Sequence, residues 1–434
     1  MDSWCYREGM FILRRVVCVL LLSTAAAAET LGPAADHHMH AISPTAAAFN
    51  SEKPLPAVTV PDEVARLLSE RSKRWNDAKA LAELFTEDCT VLDPEDAMWI
   101  RGREAAAQFL STRFARAYEI TPAVWESDGS MARIAGYYTR PERTFGHVAL
   151  SLTKGADGRW RIASETAAYR GPYTTTPISA DQLVAQLDEA GAKKGAVLST
   201  AYWYRADYEN VKRENDWMAQ QVARYPDRLA GFCGIDPLQD YAVAEVARCA
   251  ANPLLRGIKL HLGNARVDLH NPEHVERVGR VFRAANERKM AIVAHLWNGP
   301  GYGRADAEIF LNQILPAAPD VPVQLAHFGG GGPGWTDEAL AVFADAVTAG
   351  DARTKNVYFD LATVADQQTP EELRKLAARI RQIGVHRVLY GSDSAPPNPP
   401  TRQGWANFRA TVPLTDEELK AIAGNVAPYF GERK

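Results

Sequence analysis

Asp36, His38 and His40 occupy alternate positions of the stretch Asp36-His37-His38-Met39-His40. In a strand, residues two apart face the same side, so His38 and His40 would share one point while His37 faces away. Three residues of the same chemistry close short apolar runs later in the chain. His295 ends a run from Met290, His327 ends a run from Val323, and Asp393 follows Val388-Leu389-Tyr390-Gly391-Ser392. Imidazole nitrogen and carboxylate oxygen are donors that Zn²⁺ accepts, and a catalytic site keeps one position open for water. Water in that position has a pKa near ~7, and a neighbouring carboxylate can orient it and move its proton. One histidine after a strand is usually a satisfied core or capping residue, and a histidine tract alone is often only a flexible segment. An apolar run, then His or Asp, then a Gly- or Pro-rich loop recurs here, and that recurrence favours one shared site.

Other residues stand near these positions. Lys259 and His261 share strand parity in Gly257-Ile258-Lys259-Leu260-His261, so both can face one pocket. Lys259 can bind substrate as a cation or pair with a carboxylate. Tyr202-Trp203-Tyr204 and Trp297 can form an aromatic substrate wall or pack as ordinary loop residues. The glycines from Gly329 to Gly332 lack the lysine of a phosphate-binding loop, so a tight turn beside His327 is expected.

These residues need a frame that gathers strand ends. Apolar runs at 195–200, 229–236, 257–262, 290–296, 321–328, 357–361 and 387–391 alternate with helical patterns at 272–289, 304–315, 337–349 and 370–383. Strand–helix alternation indicates a parallel sheet. Seven runs and an upstream strand leading into His38 and His40 make eight, the number of a (β/α)₈ TIM barrel, whose active residues sit at the C-terminal strand ends.

Residues 58–172 break that rhythm. Helical patterns at 62–85 and 104–118 precede alternating strands at 131–138, 144–153 and 160–166, with a turn at Asp157-Gly158. This is an inserted α+β domain, reached through Pro54-Leu55-Pro56 and left through Gly171-Pro172. His147 and Asp93 are either polar groups of its pocket or surface residues. A domain planted after the first strand would sit on the active face, as a lid, a substrate wall or a dimer contact.

The N-terminus carries Arg14-Arg15, an apolar run from Val16 to Leu22, and Ala26-Ala27-Ala28 before Glu29. That order reads as a secretory signal over 1–28, with export to the periplasm or medium and no membrane anchorage after cleavage. Cys89, Cys233 and Cys249 form no metal motif and no disulfide framework; buried or free thiols are the plainer expectation, with a Cys233–Cys249 bridge left open. The net charge of −4 gives no basic stripe for nucleic acid.

The motifs Asp36-x-His38-x-His40, Gly257-Ile-Lys-Leu-His261, Ala294-His295, Ala326-His327-Phe-Gly and Tyr390-Gly-Ser-Asp393 together resemble the amidohydrolase superfamily, in the amidohydrolase-2 branch that includes aminocarboxymuconate-semialdehyde decarboxylase-like enzymes. Ala423-Gly-Asn425 and Tyr429-Phe430-Gly431 resemble that branch's C-terminal helix. The resemblance implies a barrel over 29–57 and 173–434. It implies His38, His40, His295 and Asp393 as ligands of Zn²⁺ or another divalent ion such as Mn²⁺. Asp393 and His327 would be catalytic, and Lys259, His261, Trp297 and Trp203 would contact substrate. In binuclear relatives a lysine at the position of Lys259 is carboxylated and bridges two metals; a single metal is expected here. The insertion resembles the SnoaL/NTF2-like family through Arg74-Trp75-Asn76-Asp77, Leu84-Phe85, Gly102-Arg103-Glu104 and Gly158-Arg-Trp160. That implies a pocket for binding, a homodimer contact or, less often, catalysis. The functions implied are metal-assisted hydrolysis of an amide, ester or lactone; non-oxidative decarboxylation of an aromatic or unsaturated acid; or, in a different class, small-molecule binding in the inserted pocket.

Overall fold

The computed structural model describes residues 31–431, except 52–54, 94–97, 114–116, 141–142, 170–174, 298–300, 331–332, 367 and 397. The expected signal segment, Pro54, Gly171-Pro172 and Gly331-Gly332 lie outside the described residues, as does the side chain of Asp93. Strand β1 (Ala35–His40) is buried along its whole length. The chain then passes through the short helix Pro44–Asn50, capped by the Ser43 hydroxyl. It goes on to build a separate six-stranded sheet before returning.

That sheet contains β2 (Phe85–Asp93), β3 (Met98–Arg101), β4 (Glu119–Ser127), β5 (Met131–Arg140), β6 (Arg143–Lys154) and β7 (Trp160–Tyr169), in the order β3-β2-β7-β6-β5-β4. Helices Asp62–Lys73, Ala78–Ala82 and Arg103–Arg113 accompany it. The single helix expected over 62–85 is broken after Lys73, and Asp77 caps a second one by accepting from the Ala80 N–H. Strands β2, β3 and β4 were not expected. β2 reads as polar because Glu87 and Asp88 interrupt its buried Phe85, Cys89 and Val91. β4 carries Pro122, which an edge strand tolerates beside a bulge. The excursion is pinned at its neck, where Ile42 and Ile178 exchange backbone hydrogen bonds of 3.1 and 2.9 Å.

Strands β8 (Lys194–Leu198), β9 (Leu229–Ile235), β10 (Leu255–His261), β11 (Ala291–His295), β12 (Val323–Leu325), β13 (Val357–Asp360) and β14 (Val388–Leu389) follow β1 in chain order, each parallel to its neighbour. The His37 N–H donates to the Tyr390 carbonyl at 2.9 Å, and the Asp393 N–H donates to the His38 carbonyl at 2.7 Å. With the Met39–Ser394 bridge, these bonds join the last strand to the first and close a (β/α)₈ barrel. Its interior is packed with Ala196, Leu198, Phe232, Val293, Ala326 and Leu389, so it is a core and not a pore.

Helices Pro272–Glu287 and Pro370–Ile383 start at Asn271 and Thr369, whose side chains accept from the first-turn N–H groups. The helix expected over 304–315 turns into a π-helical segment, Phe310–Ile314, ahead of Pro316. The tail crosses the N-terminal end of the barrel: Asn425 Nδ2 donates to the Val385 and Val388 carbonyls at 2.7 Å each, and Ala34 N–H donates to the Ala423 carbonyl. The C-terminal helix implied by the resemblance ends at Gly424, and Tyr429 belongs to a short 3₁₀ turn, Pro428–Phe430. A disulfide joins Cys233 on β9 to Cys249 on the helix Ala242–Ala250, correcting the expectation of free thiols; Cys89 is free and buried. Among the described residues, no helix is long and apolar enough to cross a membrane.

Candidate metal centre

The closed barrel brings the ends of β1, β12 and β14 together around one carboxylate. Asp393 Oδ1 lies 3.3 Å from His38 Nε2 and 3.1 Å from His40 Nε2. Donor atoms of His38, His327 and Asp393 all fall within 4.8 Å of one another. Gly391 allows this approach, since a Cβ there would stand 2.7 Å from the Cβ of His38.

The other ring nitrogens are already committed. His38 Nδ1 donates to Asp360 Oδ2 at 3.1 Å, His40 Nδ1 to the Leu198 carbonyl at 3.0 Å, and His327 Nδ1 to the Ala362 carbonyl at 2.9 Å. A carbonyl only accepts, so Nδ1 carries a proton and Nε2 is the nitrogen turned to the site. Asp360 is likewise an acceptor, for it also takes the His327 and Ala362 N–H groups and the Gln324 amide. Asp393 Oδ2 is held by Asn398 Nδ2 at 2.8 Å, leaving Oδ1 to face the imidazoles. Nitrogen and oxygen donor atoms therefore converge on one point. The donor set of imidazole and carboxylate suits a divalent metal ion. Histidines held by an outer carboxylate or carbonyl are the usual supports of such a site.

Electrostatics agree. Burial, reinforced by the Lys259 charge, lowers His38 to about 4. Burial likewise drives His261 and His295 well below the ordinary histidine range. These rings are neutral at neutral pH, as metal ligands must be. Burial also lowers the Lys259 ammonium to about 8, against the opposing carboxylates of Asp360 and Asp393. Lys259 Nζ approaches His38 Nε2 at 3.4 Å, within this pocket.

The remaining candidates are distributed around the centre. His295 stacks on His261 with ring centroids 3.9 Å apart and meets His327 edge-on at 4.6 Å. His295 thus lines the pocket but is not part of the tightest donor group, in which His327 appears instead. His261 packs against Tyr202 at 5.4 Å, and Trp203 stands in edge contact with Tyr202, so Tyr202 is the aromatic nearer the site. Trp297 follows β11 and is partly buried. His147 is exposed on the inserted sheet, beside Tyr137.

Sequence reasoning passed over Asp360 and Asn398. Asp360 had a visible signal, since it ends the apolar run Val357-Tyr358-Phe359 just as His295 and His327 end theirs. Asn398 lies in a Pro-rich loop with no periodic signal. Asp36 is not in the donor group: it accepts from the His38 and Ser392 N–H groups and the Thr401 hydroxyl, tying β1 to the loop after β14. His327, Phe328, Thr363 and Asp393 all have positive φ without being glycine. Such backbone is costly and gathers at functional sites.

Parallel strands closed around a buried core, with the site's side chains at their C-terminal ends, define a (β/α)₈-barrel protein. The amidohydrolase family profile matches residues 35–427, and the chain belongs to that family, in its amidohydrolase-2 branch. Comparison with curated proteins gives no match. Among solved structures, the chain is similar to the apo form of an IDCase from Metarhizium anisopliae, at 17% identity over 59% of this chain and 79% of that one, with a TM-score of 0.40. It is also similar to an amidohydrolase II, at 18% identity over 57% and 87%, with a TM-score of 0.40. An NTF2-like protein of unknown function from Shewanella oneidensis matches at 18% identity over 24% of this chain and 96% of that one, with a TM-score of 0.21.

Proposed function

We propose that this amidohydrolase is a metal-dependent hydrolase that splits an amide, ester or lactone. The observation that carries the reading is the convergence of His38 Nε2, His40 Nε2 and Asp393 Oδ1 at 3.1–3.3 Å, each aimed by a bond on its far side. A divalent ion such as Zn²⁺ or Mn²⁺, when bound, supplies Lewis-acid charge and lowers the pKa of water. His38, His40, His295 and Asp393 would hold it. His327, its ring fixed through Nδ1, has Nε2 free to accept a proton from water and return it to the leaving group. Asp393 would orient the water with Oδ1, the oxygen that faces the site. Lys259 and His261 contact the substrate, with Trp297 and Trp203 in its outer wall.

A second reading, non-oxidative decarboxylation of an aromatic or unsaturated acid, is favoured by one observation. Lys259 is a buried amine with no carboxylate within ion-pair distance among the described residues. An anionic group of a substrate would complete it. Incubation with a panel of lactones, amides and aromatic acids, assayed for hydrolysis and for CO₂ release, decides between the two. The hydrolase reading predicts acid release without CO₂; CO₂ release alone overturns it. Export, as expected from residues 1–28, is supported by the Cys233–Cys249 disulfide, a bond favoured in oxidising compartments.

A further inference from the structure

His37 is the one member of the histidine tract that the metal reading leaves without a task. Its Nδ1 donates to the Tyr390 carbonyl at 2.8 Å, and its Nε2 accepts from the Ala427 N–H at 3.1 Å. Its ring lies edge-on to Tyr429 and Phe430, with centroids 6.2 and 5.5 Å away. The C-terminal tail is thus docked on the strand that carries His38, on the side away from the site.

A second link runs through Gln324 on β12. Its Nε2 donates to the His37 carbonyl at 3.0 Å and to Asp360 Oδ2 at 2.6 Å, while its Oε1 accepts from the Tyr429 hydroxyl at 2.8 Å. The same Asp360 oxygen accepts the Nδ1–H of His38. A continuous path therefore leads from Tyr429 through Gln324 and Asp360 to His38. All four are buried.

We propose that Tyr429 and Gln324 are positioning residues, through which the C-terminal tail sets the orientation of His38. This inference rests on the metal-site reading given above. The orientation of the Gln324 amide is fully determined. Turned over, its oxygen would face two acceptors, the His37 carbonyl and Asp360, and no buried amide tolerates that without loss. The Tyr429 hydroxyl is the donor that satisfies the oxygen in the observed orientation. Without it, Oε1 is buried and unpaired, and the amide is free to release Asp360. Asp360 then grips the His38 N–H less firmly. Outer groups of this kind typically change metal affinity by about 10–100-fold.

The test uses the full chain as wild type, Tyr429→Phe, Gln324→Met and, as a packing control, Phe232→Leu. Phe232 touches the Tyr429 ring at 4.9 Å but takes no part in the hydrogen-bonded path. Co²⁺ titration is followed by visible absorption. The Nδ1–H resonance of His38 is followed by NMR in the metal-free protein. The expected result is a roughly 10-fold loss of Co²⁺ affinity, an altered absorption spectrum and a shifted His38 resonance in Tyr429→Phe and Gln324→Met, with all three unmoved in Phe232→Leu. If Tyr429→Phe fails to fold, Gln324→Met gives the same reading. Unchanged affinity and resonance in a folded variant, or equal changes in Phe232→Leu, overturn the proposal. If the wild type takes up no Co²⁺, the metal reading fails, and the His38 resonance alone still decides whether the path exists.

Discussion

Two buried polar clusters in this chain resolve their electrostatics in opposite ways. In the inserted sheet, Arg71 is fully enclosed, yet its guanidinium donates to both oxygens of Glu165 and, at 2.7 Å, to the Tyr118 hydroxyl. It also lies over the rings of Trp75 and Tyr118, at 4.7 and 4.4 Å. Donors meet acceptors and cation meets anion; only Arg71 Nη1 is left without a partner. At the barrel mouth, ligand-type atoms crowd together: His38 Nε2, His40 Nε2 and Asp393 Oδ1 converge, while Nδ1 of each ring and Asp393 Oδ2 bond elsewhere. The first cluster pairs its charges within the protein and reads as structure. The second turns metal-ligand atoms toward one point, and reads as function. Burial and charge alone do not separate the two; the direction of each proton does.

The comparison is broken most severely by removing one side of the self-sufficient cluster. Glu165→Ala leaves Arg71 buried without its anion, a loss of about 3–5 kcal/mol. Urea denaturation of the variant will show the inserted domain unfolding far earlier than in wild type, while metal binding at the barrel persists. Loss of metal together with the domain would mean that the two regions are not independent.

A smaller effect is expected from His327→Asn. The variant retains its metal, because His38, His40, His295 and Asp393 remain, but its kcat falls by about 10²-fold, the usual scale of lost proton transfer. The donor atom of His327 lies within 4.8 Å of those of His38 and Asp393, so metal analysis of the purified variant is the sharp readout. Metal lost from His327→Asn but kept in His295→Asn would exchange the roles of the two histidines.

How far the sequence foretold this depends on periodicity. The barrel strands after the first were legible as short apolar runs alternating with helical patterns, and the first through the alternate spacing of Asp36, His38 and His40. The histidines and Asp393 were legible because they end those runs. β2 and β4 were not, since acidic residues and Pro122 mask alternation that only the neighbouring strands stabilise. Asn398, Gln324 and Tyr429 act through hydrogen bonds spanning 5, 36 and 105 positions, respectively, and no local pattern encodes such partners. The disulfide was open on spacing alone and needed the helix Ala242–Ala250 to fold back beside β9.

The smallest effect concerns the neck of the insertion. Glu214 accepts from the Ser43 N–H and hydroxyl, and burial raises its carboxyl above the ordinary value of 4.5, against the bonds from Ser43. A carboxyl raised in the folded state gives stability that is complete while it is protonated and is lost as pH rises through its folded pKa. Wild type should therefore weaken relative to Glu214→Gln as pH rises from 4.5 through the higher folded value. The difference in urea midpoints should widen over that rise. A gap that narrows instead would show that the ionised form is the one the neck prefers.

The account's central claim is that the lone pairs converging on Asp393 Oδ1 are made for a divalent ion. Elemental analysis of the purified full chain, offered zinc and manganese and then desalted, tests it most directly. One ion per chain in wild type, and none in His38→Ala or Asp393→Ala variants that remain folded, is the predicted result. A wild type that retains neither metal, or an Asp393→Ala variant that retains as much as wild type, contradicts it.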